Sequence, residues 1–118
     1  MSYQDLGGWQ KSMDLVVECY RVANHFPGTE TYGLTSQLRR AAVSIPANIA
    51  EGHGRRHTRD FIRYLSIAYG SLMEVETHMH IANRLRYIDG HSLELVIRRT
   101  GEIGRMLNGL IQSSGRKV

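Results

Sequence analysis

The chain has a single cysteine, Cys19. That excludes an internal disulfide framework and fits a reducing, cytoplasmic setting. Proline is nearly as scarce, with only Pro27 and Pro46, too few for a chain of many turns. Strict polar–apolar alternation is rare, which argues against sheet. No apolar run approaches the roughly 20 residues of a membrane span, so no membrane is expected. The opening MSYQDLGGWQ has no basic start and no apolar stretch, unlike a secretory leader. Lysine is almost missing too: 13 of the 15 basic residues are arginine. Arginine suits bidentate contact with phosphate or carboxylate, and it also forms ordinary ion pairs between subunits.

What is present is helical period. Apolar residues make up 42% and charged residues 22% of 118 positions, with a net charge of +4. A chain this long is most simply one domain, 1–118, and can bury a core without a metal. The spacing predicts four helices, about 9–26, 34–53, 58–86 and 91–113. Pro27 and Gly28 stop the first helix. Thr35 or Ser36 is the expected cap of the second, which ends at Gly52 or Gly54. Thr58 is expected to cap the third, with Asp60 in its first turn. Ser92 or His91 opens the fourth, which fades into SSGRKV.

The third helix carries a heptad seam: Phe61, Leu65, Ala68, Leu72, Val75, Met79 and Ala82. The fourth carries Leu93, Val96, Ile97, Thr100, Ile103, Gly104, Leu107 and Ile111 on one stripe. Gly101, Gly104 and Gly109 weaken that helix, and a close neighbouring backbone would explain them. Short turns and apolar seams together predict an all-α, antiparallel up-down-up-down four-helix bundle. The first helix has apolar residues to spare. Trp9, Met13, Val16, Val17, Tyr20 and Ala23 form one stripe, and Leu15, Cys19, Val22 and Phe26 a second. Together they cover roughly 220°, where a surface helix needs little over 100°. Ile62, Tyr69 and Met73 add a surplus on the third helix. Such faces predict that copies associate. The plainer alternative is a loosely amphipathic helix shielded by the Gly28–Gly33 loop.

SIPANIAEGHGRRH, residues 44–57, holds most of the functional information. The stripe Leu34, Leu38, Ala41, Ala42, Ile45, Ile49 stays in phase across Pro46, so the helix is expected to continue through the proline despite the lost donor. On another face Arg40, Ser44, Asn48 and Glu51 form a polar row. It is a solvated face, a seam between subunits or the lining of a central channel. EGHGRRH lacks the lysine and the preceding strand of a phosphate-binding P-loop, so Gly52 and Gly54 read as a turn. Residues 34–63 carry Arg39, Arg40, Arg55, Arg56, Arg59 and Arg63 against Glu51 and Asp60. Their net +4 equals that of the whole chain. A basic tip beside a helix start can hold phosphates. The bland reading is a solvated turn with local ion pairs.

LRRAAVSIPANIAEGHGR, followed by FIRYLSIAYGSLMEVET, resembles the four-helix-bundle family of 23S rRNA intervening-sequence proteins. The Ser-Ile-Pro-Ala-Asn-Ile-Ala-Glu-Gly string carries the likeness. The resemblance implies a ring-forming homo-oligomer, typically a homopentamer. The accessory protein of diversity-generating retroelements is similar in architecture, and it is basic, pentameric and implicated in binding nucleic acid and a reverse transcriptase. Motif positions fall here on Arg39, Arg40, Ser44, Pro46, Asn48, Glu51, Gly52 and Arg55, then on Phe61, Leu65, Ala68, Gly70, Ser71, Glu74 and Thr77. Val75 stands where leucine is common. The resemblance attaches no catalytic role to any of them.

Enzyme and metal chemistry find little support in the spacing. Glu74–His78 and Glu76–His80 are four apart, whereas di-iron bundles use Glu-x-x-His on two helices. They read as exposed helix-face pairs. His53 and His57 flank the basic turn as solvated side chains, with a pH-sensing role as the alternative. Cys19 reads as a buried structural thiol. The expectation is therefore a non-enzymatic bundle without cofactor or metal. It binds RNA or DNA through Arg55, Arg56 and Arg59 first, and Arg39, Arg40 and Arg63 second. The alternative is a protein-interaction scaffold, whose arginines pair across subunits or with a protein partner.

Overall fold

Apolar residues at helical spacing wind the chain into four long helices. A computed structural model describes residues 1–116. Helix α1 spans Gly7–Ala23, α2 Leu34–His53, α3 Thr58–Arg84 and α4 Gly90–Gly115, with short 3-10 turns at Tyr3–Asp5 and Gly28–Glu30. Among the described residues there is no strand. Successive helices pack on one another, α2 against α3 most extensively, and α1 closes on α4. The assembly of helices measures 46 × 24 × 19 Å. No helix among the described residues is long and apolar enough to cross a membrane.

The core sits where the seams meet. From α3, Leu65, Ala68, Leu72, Val75, Met79 and Ala82 are buried, and Phe61 is partly so. They face Leu38, Ala42, Ile45 and Ile49 of α2, Leu15 and Cys19 of α1, and Val96, Ile103 and Leu107 of α4 in one cluster. Helix α2 runs unbroken across Pro46, itself buried. Gly52 explains how closely α2 approaches α3: a Cβ there would stand 2.6 Å from the Tyr64 Cβ and 3.3 Å from the Phe61 ring. The glycines of α4 have no such reason. Gly104 would meet only side chains of Leu72 and Tyr69 at ordinary contact distance, and Gly109 would meet nothing within 4 Å. No neighbouring backbone accounts for them.

The helix ends differ from the sequence reading for local reasons. Helix α1 starts at Gly7, behind a turn closed by a reciprocal Ser2–Asp5 capping box. It stops at Ala23, short of Phe26: beyond Asn24 the chain tightens into turns, the His25 N–H bonding to the Val22 carbonyl and the Phe26 N–H to the Ala23 carbonyl, each at 3.0 Å. Thr35 is buried inside α2 and does not cap it. The Glu30 carboxylate takes that part, accepting from the Leu34 N–H at 3.2 Å. Thr58 is the first residue of α3, and His57 precedes it without a side-chain cap. At α4 the cap is Asp89, not Ser92 or His91. Its carboxylate accepts from the Ser92 N–H at 2.8 Å, which holds it below the usual carboxylate range.

Candidate nucleic-acid interface

The α2–α3 turn gathers four arginines at one end of the bundle. The Arg55 guanidinium donates to Glu51 at 3.2 Å and to the Tyr64 hydroxyl at 2.7 Å. Tyr64 is flanked twice, with Arg55 5.1 Å and Arg63 5.4 Å from its ring centroid. These contacts orient two cations but leave the half-buried Tyr64 ring unavailable as a platform for a base. Arg56 and Arg59 are exposed and have no acidic partner among the described residues. His53 packs edge-on against Phe61, with centroids 5.9 Å apart, and His57 is exposed.

Arg39 and Arg40 lie elsewhere. Arg40 lies thirteen residues before the end of α2 at His53, roughly 20 Å at 1.5 Å per residue, and Arg55 lies beyond that end. Arg39 is held in place, its guanidinium 4.9 Å from the Tyr20 centroid and bonded to Asn24 at 3.2 Å. Its Nε is buried without a partner. Arg40 is exposed. The six arginines therefore divide into Arg55, Arg56, Arg59 and Arg63 at the turn, and Arg39 and Arg40 far up α2.

The polar row of α2 is tied to α3 at its middle. The Ser44 hydroxyl meets the Ser71 hydroxyl at 2.8 Å. Asn48 donates to the Ser44 carbonyl at 2.7 Å and to its hydroxyl at 2.9 Å. Glu51 at the lower end pairs with Arg55. Ser71, the partner from α3, has no signal in the sequence that marks it for this role. Beside the row a groove of about 320 Å³ is lined by Gln37, Arg40, Ser44, Ser71, Glu74 and His78. Burial lowers the His78 pKa, and nearby Glu74 only partly opposes that. Neither expected helix-face pair forms an ion pair among the described residues: the His78 Nδ1 is buried without a hydrogen-bond partner, and Glu76 reaches across to accept from the Thr100 hydroxyl at 2.6 Å.

Apolar surface remains uncovered on two sides. On α1 and α2, Met13, Val17, Tyr20 and Val43 are exposed, Val17 by 69%. The expected surplus on α3 is differently composed. Tyr69 and Met73 pack against the core and Ile62 is partly buried, while Ile67 at 43% and Ile81 at 41% stand in the open. Cys19 is fully buried, and desolvation pushes its thiol up to about 12, so no reactive thiolate forms near neutral pH. Among the described residues no three His, Cys, Asp or Glu side chains converge as metal ligands would.

Residues 4–109 match the family described as 23S rRNA-intervening sequence protein. The fold is similar to that of a solved structure from Bacteroides thetaiotaomicron, a protein of unknown function from the S23 ribosomal protein family. The two chains are 26% identical and superpose with a TM-score of 0.82, over 88% of this chain and 97% of that one. No curated protein matches the chain.

Proposed function

The chain belongs to the 23S rRNA-intervening sequence protein family, and from that premise we propose a non-enzymatic, cytoplasmic RNA- or DNA-binding protein. It is an up-down-up-down bundle that assembles into a ring, with five copies as the family resemblance implies. It grips the nucleic-acid backbone with the arginines of the α2–α3 turn. One observation carries the reading: the whole net charge lies in residues 34–63, and Arg56 and Arg59 at the turn are exposed without an acidic partner. A solvated turn whose charges were balanced locally would not leave these two cations free. Because Tyr64 is occupied, binding rests on phosphate and reads sequence weakly.

The test is a gel-shift titration with ribosomal RNA fragments. Retardation is expected at low salt, weakening steeply as counterions compete. The double variant Arg56→Ala/Arg59→Ala should bind more weakly on every sequence tried, with a salt slope shallower by about two if each arginine meets one phosphate. No retardation at low salt and micromolar protein would refute the proposal. A second reading, a protein-interaction scaffold, draws support from the exposed apolar faces. A stoichiometric protein partner recovered after nuclease treatment would favour it.

A further inference from the structure

Helices α1 and α4 pack on one another less extensively than the other neighbouring helices do, and a cleft of about 550 Å³ opens between them. Lys11 of α1 pairs with Glu102 of α4 at 3.0 Å, and a Cβ on Gly8 would lie 3.8 Å from the Leu107 side chain, so the two helices run antiparallel. In that register Asp14 falls level with Arg99, and Glu18 with Leu95. Asp14 and Arg99 both line the cleft, yet neither forms an ion pair, with the other or with any other described residue. Glu18 lines it too, with a side chain only 8% exposed, and its one ion pair is to Arg21 of its own helix, a side chain 66% exposed. Ile103 is buried at the base of the cleft, and Val17 is exposed at its rim.

A carboxylate as buried as Glu18 has lost hydration that one solvent-facing cation offsets only in part. Asp14 stands one helical turn from it on the same face, where like charges repel. Across the cleft Arg99 is a cation without an anion. These three charges select among ligands. A neutral apolar molecule would desolvate all of them, an anion would face Asp14 and Glu18, and a cation would face Arg99. We propose that the cleft binds a small zwitterion of the α-amino-acid class. Its ammonium lies between Asp14 and Glu18, and its carboxylate takes the two-pronged hydrogen bonds of the Arg99 guanidinium. The volume falls within the roughly 300–1,000 Å³ of small-molecule sites and leaves room for the ligand's own side chain toward Val17. Binding ties α1 to α4 and stabilises the folded chain by mass action. This site is separate from the proposed nucleic-acid contact, because the arginine-bearing turn joins α2 to α3.

The test titrates the full chain, labelled with nitrogen-15, with L-alanine, L-leucine, L-methionine, L-glutamine and L-arginine in turn, each to about 10 mM, which saturates a site of millimolar Kd. At least one should shift the amide signals of α1 and α4 around Asp14, Glu18 and Arg99 and raise the thermal midpoint. For that amino acid, the matched amine without the carboxylate and the matched acid without the ammonium should each bind about tenfold more weakly or worse, since each forfeits charge-assisted hydrogen bonds. Arg99→Gln should bind the amino acid no better than the amine, and Asp14→Asn should lose much of its preference over the acid, both with the helical circular dichroism of wild type. If Arg99→Gln loses helix, Arg99→Met replaces it. Amide shifts confined to the α2–α3 turn, or absent with all five amino acids, overturn the proposal. So does an amine or an acid that binds as tightly as its parent amino acid, and so does affinity unchanged in both variants.

Discussion

Arg86 holds a backbone conformation that glycine fills at lower cost. Its φ is 65°, in the left-handed region where a Cβ crowds the following carbonyl. The strain is imposed by the way α3 ends. The Arg86 N–H bonds to the Asn83 carbonyl at 3.0 Å, and the Tyr87 N–H reaches back to the Ala82 carbonyl at 2.8 Å. That double closure satisfies the last carbonyls of the helix, usually around a glycine. It also delivers the Tyr87 hydroxyl to Glu30 at 2.8 Å. The same carboxylate caps α2, so one residue joins the α3–α4 turn to the start of another helix. The Tyr87 hydroxyl is correspondingly held above its ordinary pKa by the Glu30 hydrogen bond. Replacing Arg86 with glycine should relieve about 1 kcal/mol of strain, and the greater freedom of the unfolded chain takes back about half. The expected net gain is roughly 0.5 kcal/mol, seen as a higher urea midpoint at unchanged slope. A lower midpoint would mean that the arginine side chain makes a stabilising contact larger than the strain.

At the scale of the elements, two glycines with opposite surroundings separate propensity from packing. Gly52→Ala drives a methyl against Tyr64 and Phe61, and overpacking of that kind costs about 1–3 kcal/mol. Gly109→Ala meets nothing and should gain up to about 1 kcal/mol from helix propensity alone. Urea unfolding of both variants should therefore move in opposite directions. The apolar periods of these helices were readable because burial on one face imposes a 3.6-residue repeat on any sequence that obeys it. The passage of α2 through Pro46 was readable for the same reason, since Ile45 and Ile49 keep the phase of Leu38 and Ala42. The caps were not. Glu30 acts from outside the helix it caps, and Asp89, His91 and Ser92 are neighbours among which only geometry chooses. Ser71 as partner of Ser44 lies 27 residues away, beyond any local pattern. At the candidate site, the concentration of charge around the turn was legible as net charge. The fixing of Arg39 by Tyr20 and Asn24, and of Arg55 by Glu51 and Tyr64, depends on side-chain placement across helices, which spacing does not encode.

For the molecule as a whole, a bundle 24 × 19 Å in cross-section is too thin to hide every apolar side that its helices carry. Packing around a single core covers one stripe per helix, and α1 and α3 have more than one. Under the proposed self-association, covering an exposed side chain such as Val17 stabilises the folded chain by mass action, because only the folded form presents that face. Stability should then depend on concentration. The thermal midpoint of the wild-type chain is expected to fall on serial dilution, while that of Val17→Glu, with one face spoiled, stays constant. At high dilution the two should converge, since Val17 contributes little to a lone chain that leaves it 69% exposed. Calorimetry across a hundredfold range of concentration reads this directly. A wild-type midpoint that does not move with concentration would mean that each bundle is stable with its apolar sides wet. The arginine tips would then act one at a time, as a field of four cations partly offset by Glu51 and Asp60. Assembled, each particle would present several such tips at once. The same RNA could then occupy more than one, so its avidity would exceed the affinity of any one tip.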